Sequence, residues 1–280
     1  MSVLEVKGLC KNYPSFRLSD VSFSLEEGRI TGFIGRNGAG KSTTLKSMLE
    51  LVHPDAGEVR FFGLPFRGHE LYVKRNIAFA AGDAAYYPRK KLRTITEVTK
   101  SFYPQWDDGA YRNFIEDFGL DEGKKPSQLS SGMTVKYSLA LALSHHAKLV
   151  ILDEPTSGLD PVSRDELLDV FMDLSAQGVT IFFSTHITSD LDKCADDIVF
   201  IRSGKIEAAG ALEDLLAGYR VAQLAQGAIT PELRAKARGV RRIRGGYDAL
   251  FAAKDAPETG SRAATLEDIM TMTRDRTGAE

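Results

Sequence analysis

The chain has 280 residues, 43 % hydrophobic and 26 % charged, with a formal net charge of -2. This is the profile of an ordinary globular protein with one core of around 200 residues and an appendage, and it singles out no partner. The two cysteines, Cys10 and Cys194, lie far apart and form no metal or redox motif, which excludes a disulfide framework and suits a reducing cytosol. No stretch approaches the ~18 apolar residues of a membrane span, and the opening residues carry no basic-then-apolar leader. Any membrane role is therefore expected to come through another chain.

Leu4–Lys7 and Leu18–Leu25 have the pattern of strands in an N-terminal antiparallel layer, joined by a turn-like segment containing Tyr13 and Pro14. The Tyr13 ring either packs or stacks on a nucleotide base. Arg29–Ile34 follows as a short buried strand and Ser42–Glu50 as a helix. Between them lies Gly35-Arg36-Asn37-Gly38-Ala39-Gly40-Lys41-Ser42-Thr43, which satisfies the phosphate-binding pattern G-x-x-x-x-G-K-[ST]. Gly35, Gly38 and Gly40 let the backbone curl close to phosphates, and the freed N–H groups and helix N-terminus supply positive potential. In that arrangement Lys41 reaches the β- and γ-phosphates and Ser42 offers a hydroxyl to Mg2+.

A turn at residues 53–57, a strand at Glu58–Phe62 and a run from Val73 to Ala80 leading into another strand come next. From Tyr86 to His146 the apolar spacing becomes helical over Ile95–Tyr103, Asp108–Phe118 and Met133–His146, which predicts a helical subdomain inserted into the sheet. Trp106, beside Phe-Tyr-Pro, is either core or docking surface. Leu149–Leu152 is a continuous apolar run, as in a buried parallel strand, ending in Asp153-Glu154-Pro155. Alternation along the strand sends the two carboxylates to opposite faces, Asp153 toward Mg2+ and Glu154 toward the attacking water. Val179–Ser184 is a second such strand, ending at Thr185-His186, and Ile198–Ile201 a third. His186 is thereby placed at the carboxyl end of a parallel strand, where ligands bind in such sheets.

These motifs, over roughly Val3–Leu216, resemble the nucleotide-binding subunit of an ATP-binding cassette (ABC) transporter, of the exporter-like branch. The signature Leu-Ser-Gly-Gly-Gln is matched by Leu129-Ser130-Ser131-Gly132-Met133, and Walker B by Leu149–Glu154. Ser157-Gly158-Leu159-Asp160 looks like the family's D-loop, His186 like its switch histidine and Tyr13 like its adenine-stacking aromatic. The resemblance implies an α/β fold: a P-loop NTPase (RecA-like) core, an N-terminal antiparallel β layer, an inserted helical subdomain at about 86–146, and a small C-terminal appendage. The domains expected are 1–218 and 219–280. It further implies ATP and Mg2+ as cofactors. ATP would be bound by Tyr13, Gly35, Asn37, Gly38, Gly40, Lys41, Ser42 and Thr43 of one subunit, with Ser130, Gly132 and Asp160 contributing to the sandwich with a second. Glu154, His186 and Lys41 are then the catalytic residues, and Ser42 and Asp153 the metal ligands. Two departures stand out. Ser131 and Met133 replace the signature's glycine and glutamine, and if position 131 needs a left-handed backbone, serine costs about 1 to 2 kcal/mol. The family's Q-loop glutamine should fall near Ala81–Asp83, where there is none, and either Asp83 serves as an oxygen donor in its place or a water fills the gap.

Beyond Gly218 the pattern loosens. The cations from Arg234 to Arg244 form either a solvated face, flanked by Glu232 and Asp248, or an anion-seeking patch. Thr265–Met270 resembles the helical ending of exporter-type subunits. The resemblance therefore predicts an ATPase that dimerises, in the simplest case as a homodimer, around ATP and powers a separately encoded multi-span permease, at the cytoplasmic face of the cell membrane. The alternatives are a soluble ABC-type ATPase acting on nucleic acid or ribosomes, and a non-hydrolysing module locked by ATP. The single P-loop, the short span between Lys41 and Leu129 and the scarcity of cysteine argue against the nucleic-acid and ribosome types, so nucleic acid is not an expected partner. The transported substrate is not written in these residues.

Overall fold

The computed structural model describes residues 2–81, 87–226, 228–257 and 260–273. The chain divides into two compact units, Met1–Ala209 and Gly210–Glu280.

In the first unit an antiparallel sheet takes the order Phe16–Glu26, Ser2–Tyr13, Ala56–Phe61, Leu64–Pro65. Alternation buries Leu18, Phe23 and Leu25 along one strand and leaves their neighbours exposed or half-buried, as a one-sided sheet requires. The first strand is longer than the Leu4–Lys7 pattern predicts. Pairing persists to Tyr13 opposite Phe16, so the turn shrinks to Pro14 and Ser15 and Tyr13 is the last strand residue. A second sheet has six strands in the order Lys205–Ala211, Asp197–Arg202, Ile30–Ile34, Thr180–Thr185, Leu149–Asp153, Ile77–Ala81. Ile30–Ile34, Leu149–Asp153 and Thr180–Thr185 are buried along their whole length, which explains their unbroken apolar sequences. The rings of Phe23, Phe33 and Phe182, with centroids 5.4 to 5.9 Å apart, join the two sheets in one core.

The helix Glu70–Asn76 occupies the first half of the run expected to lead into a strand, and the strand itself is confined to Ile77–Ala81. The inserted helices are Leu92–Lys100, Asp108–Asp117 and Ser131–Ser144. The first starts and ends earlier than its apolar spacing suggests, because Leu92 is buried and Tyr103 precedes a proline, which disfavours helix. The third stops before His146, whose φ is +57°. Leu92, Ile95, Tyr111, Tyr137 and Leu141 belong to a separate core of these helices, and Trp106, half-buried, packs against it. At its centre the Thr96 hydroxyl lies 2.7 Å from that of Tyr111 and 2.9 Å from that of Tyr137. Among the described residues no helix is long and apolar enough to cross a membrane.

The second unit holds a four-stranded sheet in the order Gly239–Ile243, Gly246–Ala252, Tyr219–Ala225, Ser261–Ala263. The run of cations is not uniform here. Arg241 turns inward and donates to Asp248 and Asp268, each at 2.9 Å, while Arg262 donates to Asp268 at 2.6 Å. Asp248 is therefore an internal partner of Arg241, and its side chain is only 6 % exposed. Burial alone would raise the Asp268 pKa, but Arg262 together with the Thr265 N–H and hydroxyl outweighs it and holds the group at about 2, against an ordinary 3.8. A folded-state pKa below the unfolded one contributes stability above about pH 4 that is lost as the pH falls toward 2. Asp268→Asn is expected to lower the thermal midpoint of the full chain at pH 7, with a deficit that shrinks between about pH 4 and 2; melts of both proteins across that window check this.

Candidate functional site

The P-loop bridges the strand Ile30–Ile34 and the helix Lys41–Met48. Two of its glycines are demanded by the close approach of neighbouring groups. Gly40, the residue before the helix, has φ +115°, and a Cβ there would fall 2.7 Å from Leu18 Cδ2 and 2.8 Å from Phe16 Cζ. A Cβ at Gly35 would lie 2.5 Å from the Ile201 carbonyl. Asn37, Gly38 and Ser42 are exposed and Thr43 is half-buried, which leaves the rim of the loop open to a ligand.

Lys41 is the buried member, 6 % exposed. Its Nζ donates to the Gly35 carbonyl at 2.8 Å and lies 3.0 Å from Glu154 Oε1. The other carboxylate oxygen, Oε2, lies 2.9 Å from His186 Nδ1. Glu154 is thus gripped from both sides, by a cation of the P-loop and by a ring at the end of a neighbouring strand. It reaches that place through its backbone. The strand Leu149–Asp153 ends one residue earlier, and Glu154 has φ +52°, a conformation of order 1 kcal/mol or more uphill for a non-glycine residue. Its N–H is held by Ser184, 2.9 Å from the hydroxyl and 3.1 Å from the carbonyl. The divergence of Asp153 and Glu154 thus comes from a left-handed residue rather than from simple strand alternation.

Asp153 is buried and accepts the Ser184 hydroxyl at 2.5 Å through Oδ1. Ser184 therefore touches both carboxylate residues. It ends the apolar run Val179–Ser184, and its place beside Asp153 follows from the parallel register that pairs them, a relation no local pattern carries. A cavity of about 50 Å³ adjoins these groups, lined by Asp153, Glu154 and Ser157 together with Ser131, Thr134 and Ser138 of the signature helix. A larger cavity of about 320 Å³ adjoins it through Ala80, Ser138 and Leu152 and extends among Leu49, Phe79, Tyr103, Leu141 and His145; among the described residues no carboxylate lines it. Burial pushes the His145 pKa down to about 4, so its ring there is neutral.

Ser130 caps the signature helix, its hydroxyl accepting the Met133 N–H at 3.2 Å. Ser131 is the first helical residue and does not have a positive φ, so serine carries no left-handed cost at that position. Gly132 is buried against the D-loop: a Cβ there would meet Leu159 Cδ2 at 3.6 Å and Ser163 Cβ at 3.8 Å. Asp160 is exposed and caps the helix Pro161–Ala176, accepting from the N–H groups of Val162 and Ser163 at 3.0 and 3.1 Å. The side chain and N–H of Ser163 hold its carboxyl below the usual range. Tyr13 is 42 % exposed at its strand end, with Lys11 Nζ 5.8 Å from the ring centroid. The structure thus brings Lys41, Glu154 and His186 together, with Asp153 beside them through Ser184, and places Tyr13, Ser130, Gly132 and Asp160 on other elements. Asp83 lies outside the described residues.

A family profile described as "ABC transporter" matches residues 18–157. The chain is 29 % identical over 209 residues to the ABC transporter ATP-binding protein YtrB of Bacillus subtilis (strain 168), an alignment covering 74 % of this chain and 71 % of that protein. It is 31 % identical over 209 residues to the bacitracin transport ATP-binding protein BcrA of Bacillus licheniformis, covering 73 % and 68 % respectively. A solved ATP-binding subunit of an ABC transporter superposes with a TM-score of 0.68 at 29 % identity, over 76 % of this chain and 91 % of that one.

Removing the ammonium should act on the triphosphate itself. Lys41→Ala is expected to weaken ATP binding by about 1.5 to 3 kcal/mol, roughly tenfold to a hundredfold in Kd, as titration with a fluorescent ATP analogue would register.

Proposed function

The chain belongs to the ABC transporter family, as an ATP-binding and ATP-hydrolysing subunit, and from that premise we propose that two copies close around ATP to drive a separately encoded multi-span permease in the export direction. The observation that carries the hydrolytic part is the Lys41–Glu154–His186 cluster. A triphosphate brings more negative charge to the P-loop than one carboxylate, so its β- and γ-oxygens compete with Glu154 for Lys41. Glu154, released on that side and still held by His186, can orient a water against the γ-phosphorus and take its proton. As the water oxygen bonds to phosphorus, the bond to the β,γ-bridging oxygen breaks and ADP leaves with that oxygen.

The residues fit Mg2+. Asp153 offers a buried carboxylate at a strand end and Ser42 an exposed hydroxyl at the start of the P-loop helix, both hard oxygen donors of the kind Mg2+ takes together with phosphates. Mg2+, when bound, would neutralise charge developing on the phosphate oxygens. Ser184 keeps Asp153 oriented for this through Oδ1.

Dimerisation is supported by the placement of Ser130, exposed at the start of the signature helix, where backbone N–H groups and the helix dipole favour an anion from another chain. In such a sandwich Tyr13 would stack on the adenine and Gly132 and Asp160 would line the facing surface. ATP would then act as glue and ADP would not, and the closing and opening cycle would do mechanical work on the permease. The export direction is supported by the ending Thr265–Met270, which folds as the capped helix Leu266–Met272. The relative in Bacillus licheniformis is by its name a bacitracin transport protein, which places small-molecule transport among the activities to test. In this reading the protein works at the cytoplasmic face of the membrane, held there by its permease.

Glu154→Gln preserves the shape of the site and removes the base. Its ATPase kcat is expected to fall by about 10² to 10⁴, while ATP converts the protein to a species of twice the mass on size-exclusion chromatography with light scattering. A variant hydrolysing at the parent rate, or one still monomeric with saturating ATP, contradicts the proposal.

A further inference from the structure

A second carboxylate lies behind this cluster and has no part in the chemistry described above. Asp190 is 1 % exposed. It stands in the first turn of the helix Thr188–Cys194, four residues after His186, and its Oδ2 accepts the hydroxyl of the fully buried Thr156 at 2.6 Å. Thr156 follows Pro155, two residues after Glu154. The other oxygen, Oδ1, lies 3.9 Å from Nε of Arg164. Arg164 is in the first turn of the helix capped by Asp160, and its N–H donates to the Asp160 carbonyl at 3.0 Å. Neither Asp190 Oδ1 nor Arg164 Nε has a hydrogen-bond partner among the described residues.

A buried carboxylate with the Thr156 and Thr185 hydroxyls and one guanidinium at the edge of contact is a poor device for stability, and a leucine would fill the space without desolvating a charge. Burial raises the pKa of Asp190, with the Thr156 hydroxyl, the charges of Arg164 and His186 and the Thr185 hydroxyl opposing it. What the arrangement accomplishes is geometric. One side chain spans three segments: the loop carrying Glu154, the segment carrying His186, and the helix that begins at the D-loop residue Asp160.

We infer that Asp190 is a positioning residue for hydrolysis, a strut that through Thr156 and Arg164 fixes the Glu154 loop and the D-loop helix against the segment bearing His186. The inference rests on the reading of Glu154 and His186 as the hydrolytic pair. Removing the strut leaves Lys41 and the P-loop intact, so nucleotide should bind as before while the base and its histidine lose register. Misplacement of reacting groups by about an ångström is worth up to ~100-fold in rate.

The test is steady-state ATPase kinetics on Asp190→Ala, Asp190→Asn, Thr156→Val and His186→Ala, with Glu154→Gln as control and thermal melts to establish folding. Asp190→Ala should lose about tenfold or more in kcat with KM for ATP within about twofold. Asp190→Asn, which retains an acceptor for Thr156, should recover part of that loss. The double variant Asp190→Ala/Glu154→Gln should be no slower than Glu154→Gln alone, because the strut acts by placing that base, and His186→Ala should likewise lose kcat with KM little changed. Should Asp190→Ala fail to fold, Thr156→Val decides, with a kcat loss and unchanged KM expected of it. A parent-like kcat in a folded Asp190→Ala, or losses that multiply in the double variant, overturns the inference. A Glu154→Gln protein at the parent rate removes the underlying reading, and the inference with it.

Discussion

A lysine ammonium buried to 6 % exposure must be met by an anion or an acceptor, and in this protein the requirement is satisfied by Glu154 and the Gly35 carbonyl together. Much of the architecture follows from bringing those groups within reach. The strand that launches the P-loop and the strand that delivers Glu154 are not neighbours. Thr180–Thr185 lies between them and carries both Ser184, which positions the Glu154 backbone, and the start of the segment bearing His186. Beyond the ends of three adjacent parallel strands a cation, a carboxylate and an imidazole are thus joined by one ion pair and one hydrogen bond. The left-handed backbone at Glu154 aims the carboxylate across the sheet.

This arrangement gives a physical sense to nucleotide dependence. In the proposed reading the ammonium that holds Glu154 also holds phosphate, which would link occupancy of the P-loop to the freedom of Glu154 through one side chain. No displacement of a whole domain is needed for that link, only competition between two anions for one cation. Around it, Ser184 and Asp190 set the positions of the carboxylates and the histidine without facing the nucleotide themselves. Rigid strands thereby carry the chemical groups, and serine, threonine and aspartate behind them carry the alignment.

The elements legible in the sequence are those whose cause is local. The P-loop requires glycines at fixed offsets because a Cβ would strike Ile201, Leu18 or Phe16, and that requirement is written in nine consecutive residues. The buried strands announce themselves because both faces are covered. The partner of each charged group is not legible, since Lys41 meets Glu154 only through the order of strands. Tyr13 ends a strand rather than sitting in a turn because pairing with Phe16 extends the ladder, which depends on a second strand. Whether serine at 131 is strained depends on a backbone angle the sequence does not carry, and in the structure it is simply a helical residue, as its cap at Ser130 dictates. Asp248, which in sequence flanks a run of cations, belongs in space to Arg241 on the inside of the second unit. It therefore does little to offset the exposed members of that run.

The most direct test of the account is purification of the tagged protein from detergent-solubilised membranes of its own host, with ATPase activity measured with and without whatever accompanies it. The account predicts a co-purifying multi-span protein that changes the ATPase rate. Recovery of ribosomes or nucleic acid alone, or of no partner and an unaltered rate, would contradict it.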